Sequence, residues 1–250
     1  MPHPTLCLLD LCGRSHRDRI PRRRTIRSAH ARGVTLIRPD LEKERQLWAE
    51  GYRWVAGLDE AGRGAWAGPV VAAAVVLSPN RGDLPPLLQG VRDSKLLTSL
   101  QREALFPLIC QLSVAVGVGL ASAHFIDRWG IVKATQRAML MALHNLSVVP
   151  QYLLIDALHL PDTPLPQQGL IKGDAHVLSI ACASVVAKVF RDRCMVALDS
   201  YQPGYGFAQH KGYGTAGHRA ALAQRGPCPS HRYSFAPLRA LTNSGCRAGS

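Results

Sequence analysis

The chain has 250 residues, 47% of them hydrophobic and 19% charged, which excludes a wholly disordered protein and provides length for a sizeable core. Its longest apolar run, Val70 to Leu77, has eight residues against the roughly 20 needed to cross a bilayer, so a membrane-spanning helix is excluded. Thirty Lys and Arg against 17 Asp and Glu leave a net charge of +13, a balance that attracts polyanions and nucleic acid first among them.

Residues 1–33 hold eight Arg and two Asp, including Arg22-Arg23-Arg24, and show no helical or strand period. They read as a disordered basic extension. It is either a weak nucleic-acid-binding arm or the product of a start site placed too far upstream of Val34–Asp40, and the second reading is favoured. Leu6 to Cys12 is interrupted by Asp10 and makes a poor signal peptide. The folded domain is expected over 34–240.

Leu41 to Gly51 predicts a short amphipathic helix stopped by glycine. Trp54 to Leu58 predicts a strand leading into Asp59-Glu60, and Gly68 to Leu77 a second, apolar on both faces. Residues 78–92 are a Pro/Gly-rich connection. Thr98 opens a helix to about Gln111, with Gln101 completing a capping box. Ser113 to Ser122 alternates Val with small residues and predicts a strand; Ile131 to Leu146 has the helical period. Tyr152 to Asp156 predicts a short buried strand and Leu170 to Lys172 another.

Asp174 is expected to cap a long helix to about Ser200. Val177, Ile180, Ala181, Ser184 and Val185 would form its docking face. Of Lys188, Arg191 and Arg193 further along, at least two are expected as salt-bridged or solvated surface charge, with steering of DNA the alternative. A Gly/Pro/Tyr-rich loop and a helix from Thr215 to Gln224 follow, and 241–250 reads as a disordered tail. The order implies an α/β fold: a mixed central sheet flanked by helices, with a helical C-terminal appendage from about residue 200. Seven cysteines, without a C-x-x-C pair or zinc spacing, fit free thiols in a reducing cytosol.

Three short stretches each deliver an acid at a strand end or a helix start: Asp59-Glu60, Asp156 and Asp174. Singly, each has a plain explanation as a solvated strand end, a turn residue or an N-cap. If they meet, each pair of carboxylates about 4 Å apart repels by roughly 4 kcal/mol at an effective dielectric near 20, so the cluster must be protonated or neutralised by a cation. Hard oxygen donors without His or Cys select Mg²⁺ or Mn²⁺, and such a site in a basic protein points to phosphate chemistry. Gly62-Arg63-Gly64 would let the backbone approach a ligand, although on this motif alone a tight turn is the better explanation.

The run Asp59-Glu60-Ala61-Gly62-Arg63-Gly64, then Ala67-Gly68-Pro69-Val70, closely resembles the opening signature of ribonuclease HII. The resemblance continues in order through Asp93-Ser94-Lys95, Asp156, Lys172-Gly173-Asp174, the run Ser179 to Lys188, Arg191-Asp192-Arg193, His210 to Thr215 with His218, and Gly226 to Pro229 with His231-Arg232. It spans about residues 36–240. The resemblance implies a ribonuclease H-like fold, cleavage of the RNA strand of RNA/DNA hybrids, and incision of duplex DNA 5′ of single embedded ribonucleotides in excision repair. It further implies two divalent ions (Mg²⁺ or Mn²⁺) and products with 3′-hydroxyl and 5′-phosphate ends.

Carried over by position, Asp59, Glu60, Asp156 and Asp174 would be the catalytic metal ligands. Gly62, Arg63 and Gly64 would detect the 2′-hydroxyl, and Tyr213 would pack on the deoxyribose that follows. Ser94 and Lys95 would lie near the substrate backbone. A cytoplasmic monomer is expected. Two departures stand out. Ala65-Trp66 replaces a frequent Pro-Leu, and Ala157 replaces a frequent glycine, which is tolerable where that residue avoids positive φ. A nucleic-acid-binding module without turnover and a recombination nuclease of the same superfamily are the competing readings.

Overall fold

The computed structural model describes residues 38–245. The basic extension expected over 1–33 therefore lies outside the described residues, as do Cys7, Cys12 and Cys246.

A short helix α1 (Glu42–Ala49) leads into β1 (Val55–Ala61), and the next strand β2 (Val70–Val76) is buried along its whole length. The Pro/Gly-rich connection holds one helical turn, α2 (Leu84–Leu87), and a 3₁₀ turn over Ser94–Leu96. Helix α3 (Ser99–Leu112) begins at the expected capping box, in which Thr98 and Gln101 bond each other's backbone N–H. β3 (Ala115–Ala121) follows. Helix α4 (Ala123–His144) starts well before the expected Ile131, because Ser122 caps a first segment that breaks at Gly130. A single period cannot run through that break, so only the second segment was legible as a helix.

Then come β4 (Tyr152–Asp156), β5 (Gln167–Leu170), a single turn α5 (Gly173–His176) and the long helix α6 (Leu178–Tyr201). β5 lies earlier than the expected Leu170–Lys172, because Lys172 takes the left-handed conformation (φ 56°) and ends the pairing. The C-terminal appendage is helical as expected: α7 (Phe207–His210), α8 (Ala216–Arg225) and α9 (Ala236–Gly245). α9 runs into the segment expected as a disordered tail. Its Leu238 is fully buried, which anchors the helix, and residues 246–250 lie outside the described ones.

The strands form one mixed sheet in the order β3-β2-β1-β4-β5. β2 is antiparallel to β1 and β3, whereas β1–β4 and β4–β5 are parallel. Strand alternation sends Ala56, Leu58, Leu153 and Ile155 into a core shared with α4 residues such as Ala138 and Met139. Val55 and Leu154 face the other way, toward Ile180 of α6. There Gly57 permits close docking: a Cβ on it would lie 2.3 Å from the backbone carbon of Ser179. Among the described residues, no helix is long and apolar enough to cross a membrane.

Candidate active site

The register of two parallel strands builds the centre of the site. Leu58 is aligned with Ile155, so the next residues, Asp59 and Asp156, stand side by side on adjacent strands. Both point to the α6 face, since Gly57 and Leu154 two residues earlier do. Asp174 arrives from α5, whose first residue donates its N–H to Asp156 Oδ1 at 2.8 Å. One oxygen from each of Asp59, Asp156 and Asp174 lies within 4.8 Å of the others.

Asp174 does not cap the long helix, contrary to expectation. Val177 is extended and forms a parallel bridge with Asp40, which separates α5 from α6. Asp40 accepts the N–H of Leu178, and Glu44 of α1 accepts that of Ser179 at 2.8 Å. With the first turn of α6 served by these two, Asp174 keeps its oxygens for the cluster.

The electrostatics are those of crowded, dehydrated carboxylates. Burial, then the charge of Glu60, raises the pKa of Asp59 well above its ordinary value. Burial, then Asp93 and Asp156, pushes Asp174 up to about 6. The carboxyl of Asp93 also hydrogen-bonds Asp174 in a way that favours its protonated form. Asp93 caps the Ser94–Leu96 turn by accepting the N–H of Lys95. Its effect on Asp174 was missed in the sequence, where Asp93 stands only within the Asp93-Ser94-Lys95 match.

Glu60 is not in the three-acid cluster. It faces the opposite side of β1 from Asp59, and its Oε1 accepts from Arg63 Nη1 at 3.2 Å. Its Oε2 is buried without a hydrogen-bond partner, so one ligand atom remains for a cation. Carboxylate oxygens, mutual repulsion and that orphaned atom suit a hard divalent ion, so the residues fit the metal that the sequence implies.

The flanking residues divide. Lys95 is exposed, with Nζ 4.0 Å from Asp174 Oδ2. Ser94 is buried and accepts from Ser184 Oγ at 2.9 Å, and the guanidinium of Arg102 holds the carbonyls of Ser94 and Leu97. Ser94 is thus structural support for the turn that carries Lys95. In the glycine turn, Gly62 is buried with φ 92°, and a Cβ on it would lie 1.9 Å from Arg191 Nε. Gly64 is exposed, with open space beside it. The two glycines therefore serve different ends: the first packs inward, the second opens outward.

Tyr213 is half-buried, with Lys188 Nζ 5.6 Å and Arg191 Cζ 5.4 Å from its ring centre. A chain of hydrogen bonds fixes its backbone. The N–H of Cys228 is 3.0 Å from His231 Nδ1, the two Nε2 atoms of His231 and His218 are 3.0 Å apart, and His218 Nδ1 is 3.0 Å from the Tyr213 carbonyl. These partners require His231 to donate from Nε2 and His218 from Nδ1, with both rings neutral. Burial lowers the pKa of each, His218 to about 4.

Trp66, the departure after the glycine turn, packs under the same loop: a Cβ on Gly214 would meet its ring at 2.2 Å. Lys188 and Arg193 are salt-bridged, to Asp192 and Glu103, as expected for two of the three charges beyond the α6 docking face. Arg191 is not surface charge at all. It is fully buried, and nothing in its polar Arg-Asp-Arg context distinguishes it from its neighbours.

A mixed five-stranded sheet between helices, with carboxylates gathered from two parallel strands and an adjoining turn, defines a metal-dependent nuclease of the ribonuclease H-like class. The family model of ribonuclease HII matches residues 56–238. Ribonuclease HII of Roseiflexus castenholzii is 56% identical over 200 residues, covering 80% of this chain and 89% of that one. Its counterpart in Chloroflexus aurantiacus is 54% identical over 200 residues, covering 80% and 94%. The crystal structure of ribonuclease H2 from Pyrococcus horikoshii OT3 superposes with a TM-score of 0.63 at 25% identity, covering 76% of this chain and 98% of that one. The chain belongs to the ribonuclease HII family and is a metal-dependent endonuclease of ribonuclease H type, which acts on RNA/DNA hybrids.

Proposed function

We propose that this enzyme hydrolyses the RNA strand of hybrids and also incises duplex DNA on the 5′ side of a single embedded ribonucleotide. The products are a 3′-hydroxyl and a 5′-phosphate, the first step of ribonucleotide excision in the cytoplasm by a monomer. The observation that carries this reading is the meeting of Asp59, Asp156 and Asp174, from two neighbouring strands and an adjoining turn, with Asp59 on the strand that runs directly into the glycine turn.

Asp59, Asp156 and Asp174, with the free oxygen of Glu60, hold two divalent ions, Mg²⁺ or Mn²⁺. When bound, such ions supply the Lewis acidity that activates water and neutralises a departing 3′ oxygen. The remaining work is done by the chain itself. Lys95 meets the substrate backbone from the support that Ser94 gives it. The backbone of Gly62, Arg63 and Gly64 reads the 2′-hydroxyl, the group that separates RNA from DNA. The ring of Tyr213 packs on the following sugar, where a second 2′-hydroxyl would crowd it.

A duplex carrying one ribonucleotide, compared with the same duplex in DNA alone, tests the reading. Cleavage 5′ of the ribonucleotide in Mg²⁺ or Mn²⁺, silenced by EDTA, is expected, with the all-DNA duplex left intact. Equal cutting of both duplexes, or a cyclic 2′,3′-phosphate end, would overturn it.

A further inference from the structure

Beneath the glycine turn lie two arginines that the nuclease chemistry does not employ. Arg191, on α6, and Arg232, in the loop before α9, are both fully buried. No carboxylate lies within ion-pair distance of either among the described residues. Burial lowers the pKa of each, and the neighbouring charge of Arg191 adds to the effect on Arg232. Burying two neighbouring cations without a counter-ion is costly, and replacing them with apolar residues would be the cheaper way to fill a core. Their retention needs a reason, and the hydrogen bonds supply one.

Arg191 donates to three carbonyls from two separate loops: Nε to Pro69 at 2.9 Å, Nη2 to Ala67 at 3.2 Å, and Nη1 to Lys211 at 3.0 Å. Arg232 donates from Nη1 to the carbonyl of Arg63 at 2.9 Å and from Nε to that of Gly68 at 3.0 Å. The first loop carries Gly62-Arg63-Gly64 and the second carries Tyr213. Gly62 rests directly on the Arg191 guanidinium, which leaves no room for a side chain, and the Tyr213 ring lies over the same guanidinium. A direct backbone bond, Trp66 N–H to Gly212 O at 2.8 Å, closes the assembly. A planar fork with fixed donor directions can hold two loops at one separation, which a lysine cannot do.

We propose that Arg191 and Arg232 are positioning residues for sugar selection, setting the spacing between the turn that meets the 2′-hydroxyl and the ring that meets the next sugar. The proposal rests on the sugar-reading roles assigned above to that turn and to Tyr213. It makes the preference for an RNA-to-DNA junction a property of the spacing, with neither arginine touching substrate.

The test compares kcat/KM on two duplexes, one with a single ribonucleotide and one with a run of ribonucleotides around the cut, for wild type, Arg191→Lys, Arg232→Lys, Tyr213→Ala and Arg191→Lys/Tyr213→Ala. Lysine keeps the charge and loses the fork. In each lysine variant the junction substrate should lose at least about tenfold more than the hybrid, and in the Tyr213→Ala background Arg191→Lys should change the ratio no further. Merely structural damage would lower both substrates equally and multiply with Tyr213→Ala, and either result overturns the proposal. Arg232→Lys makes the same prediction through the glycine turn alone, so a poorly folding Arg191→Lys does not spare it. A wild-type enzyme without junction preference overturns the sugar-reading assignment and the proposal together. A wild-type preference that both lysine variants retain overturns the proposal alone.

Discussion

Asp174 serves stability badly, and its proposed chemistry well. It is buried beside Asp93 and Asp156, and its carboxyl titrates near 6. A raised acid pKa means that the folded chain binds more protons than the unfolded one between about 4 and 6. The penalty is therefore fully present above about pH 6 and is relieved as pH falls toward the unfolded value. Asp174→Asn removes that penalty together with a proposed metal ligand. In EDTA at pH 8 the variant should melt a few degrees above wild type, whereas Mg²⁺ or Mn²⁺ should raise its Tm less. Cleavage should fall by orders of magnitude while hybrid binding persists; an active variant would remove Asp174 from the site. Ala157, one residue beyond Asp156, sits at φ 50°, so the condition under which its replacement of glycine would be harmless is not met. The left-handed region costs an alanine roughly 1–2 kcal/mol, partly offset by the greater freedom of an unfolded glycine. Ala157→Gly should therefore gain about 0.5–1 kcal/mol in urea unfolding, and a loss of stability would contradict the strain.

The elements that position the acids were legible wherever local chemistry alone set them. β4 has its expected bounds, and α3 begins at its expected capping box, because an apolar run and an S/T-x-x-Q signal are complete within a few residues. What the sequence hid depends on partners far along the chain. The start of α6 is decided by Asp40 and Glu44, more than 100 residues earlier, so Asp174 looked like the nearest available cap. Likewise, the acids were recognisable as candidates, but only the β1–β4 register shows that Asp59 and Asp156 are neighbours while Glu60 faces away. The Glu44 cap can be tested directly. Its carboxylate is buried, with its pKa raised mainly by desolvation, and Oε1 holds the Ser179 N–H. Glu44→Ala leaves that buried donor unpaired at a cost of about 1–3 kcal/mol, a Tm loss of several degrees. Glu44→Gln keeps an acceptor and should recover most of it. Equal losses in both would show that the capping bond contributes nothing.

Across the whole molecule, the clustered carboxylates sit on the sheet and the turn beside it, whereas the parts assigned to sugar reading are held from the C-terminal appendage. Arg232 grips the glycine turn, and the His231–His218 chain ends on the Tyr213 carbonyl. That chain requires neutral rings, which makes the appendage sensitive to acid. A histidine whose pKa falls from 6.5 unfolded to about 4 folded binds fewer protons in the native state, so its contribution is complete above 6.5 and is lost as pH drops toward 4. The carboxylates respond in the opposite direction, so bulk stability against pH mixes the two effects. Comparison with His218→Gln separates them, because both proteins share the acids and only one titrates at this position. At pH 7.5 the wild type should be the more stable in urea, and its advantage should shrink steadily between pH 6.5 and 4.5. A gap that stays constant across that range would mean His218 is not held neutral, and the hydrogen-bond chain to Tyr213 would have to be assigned differently.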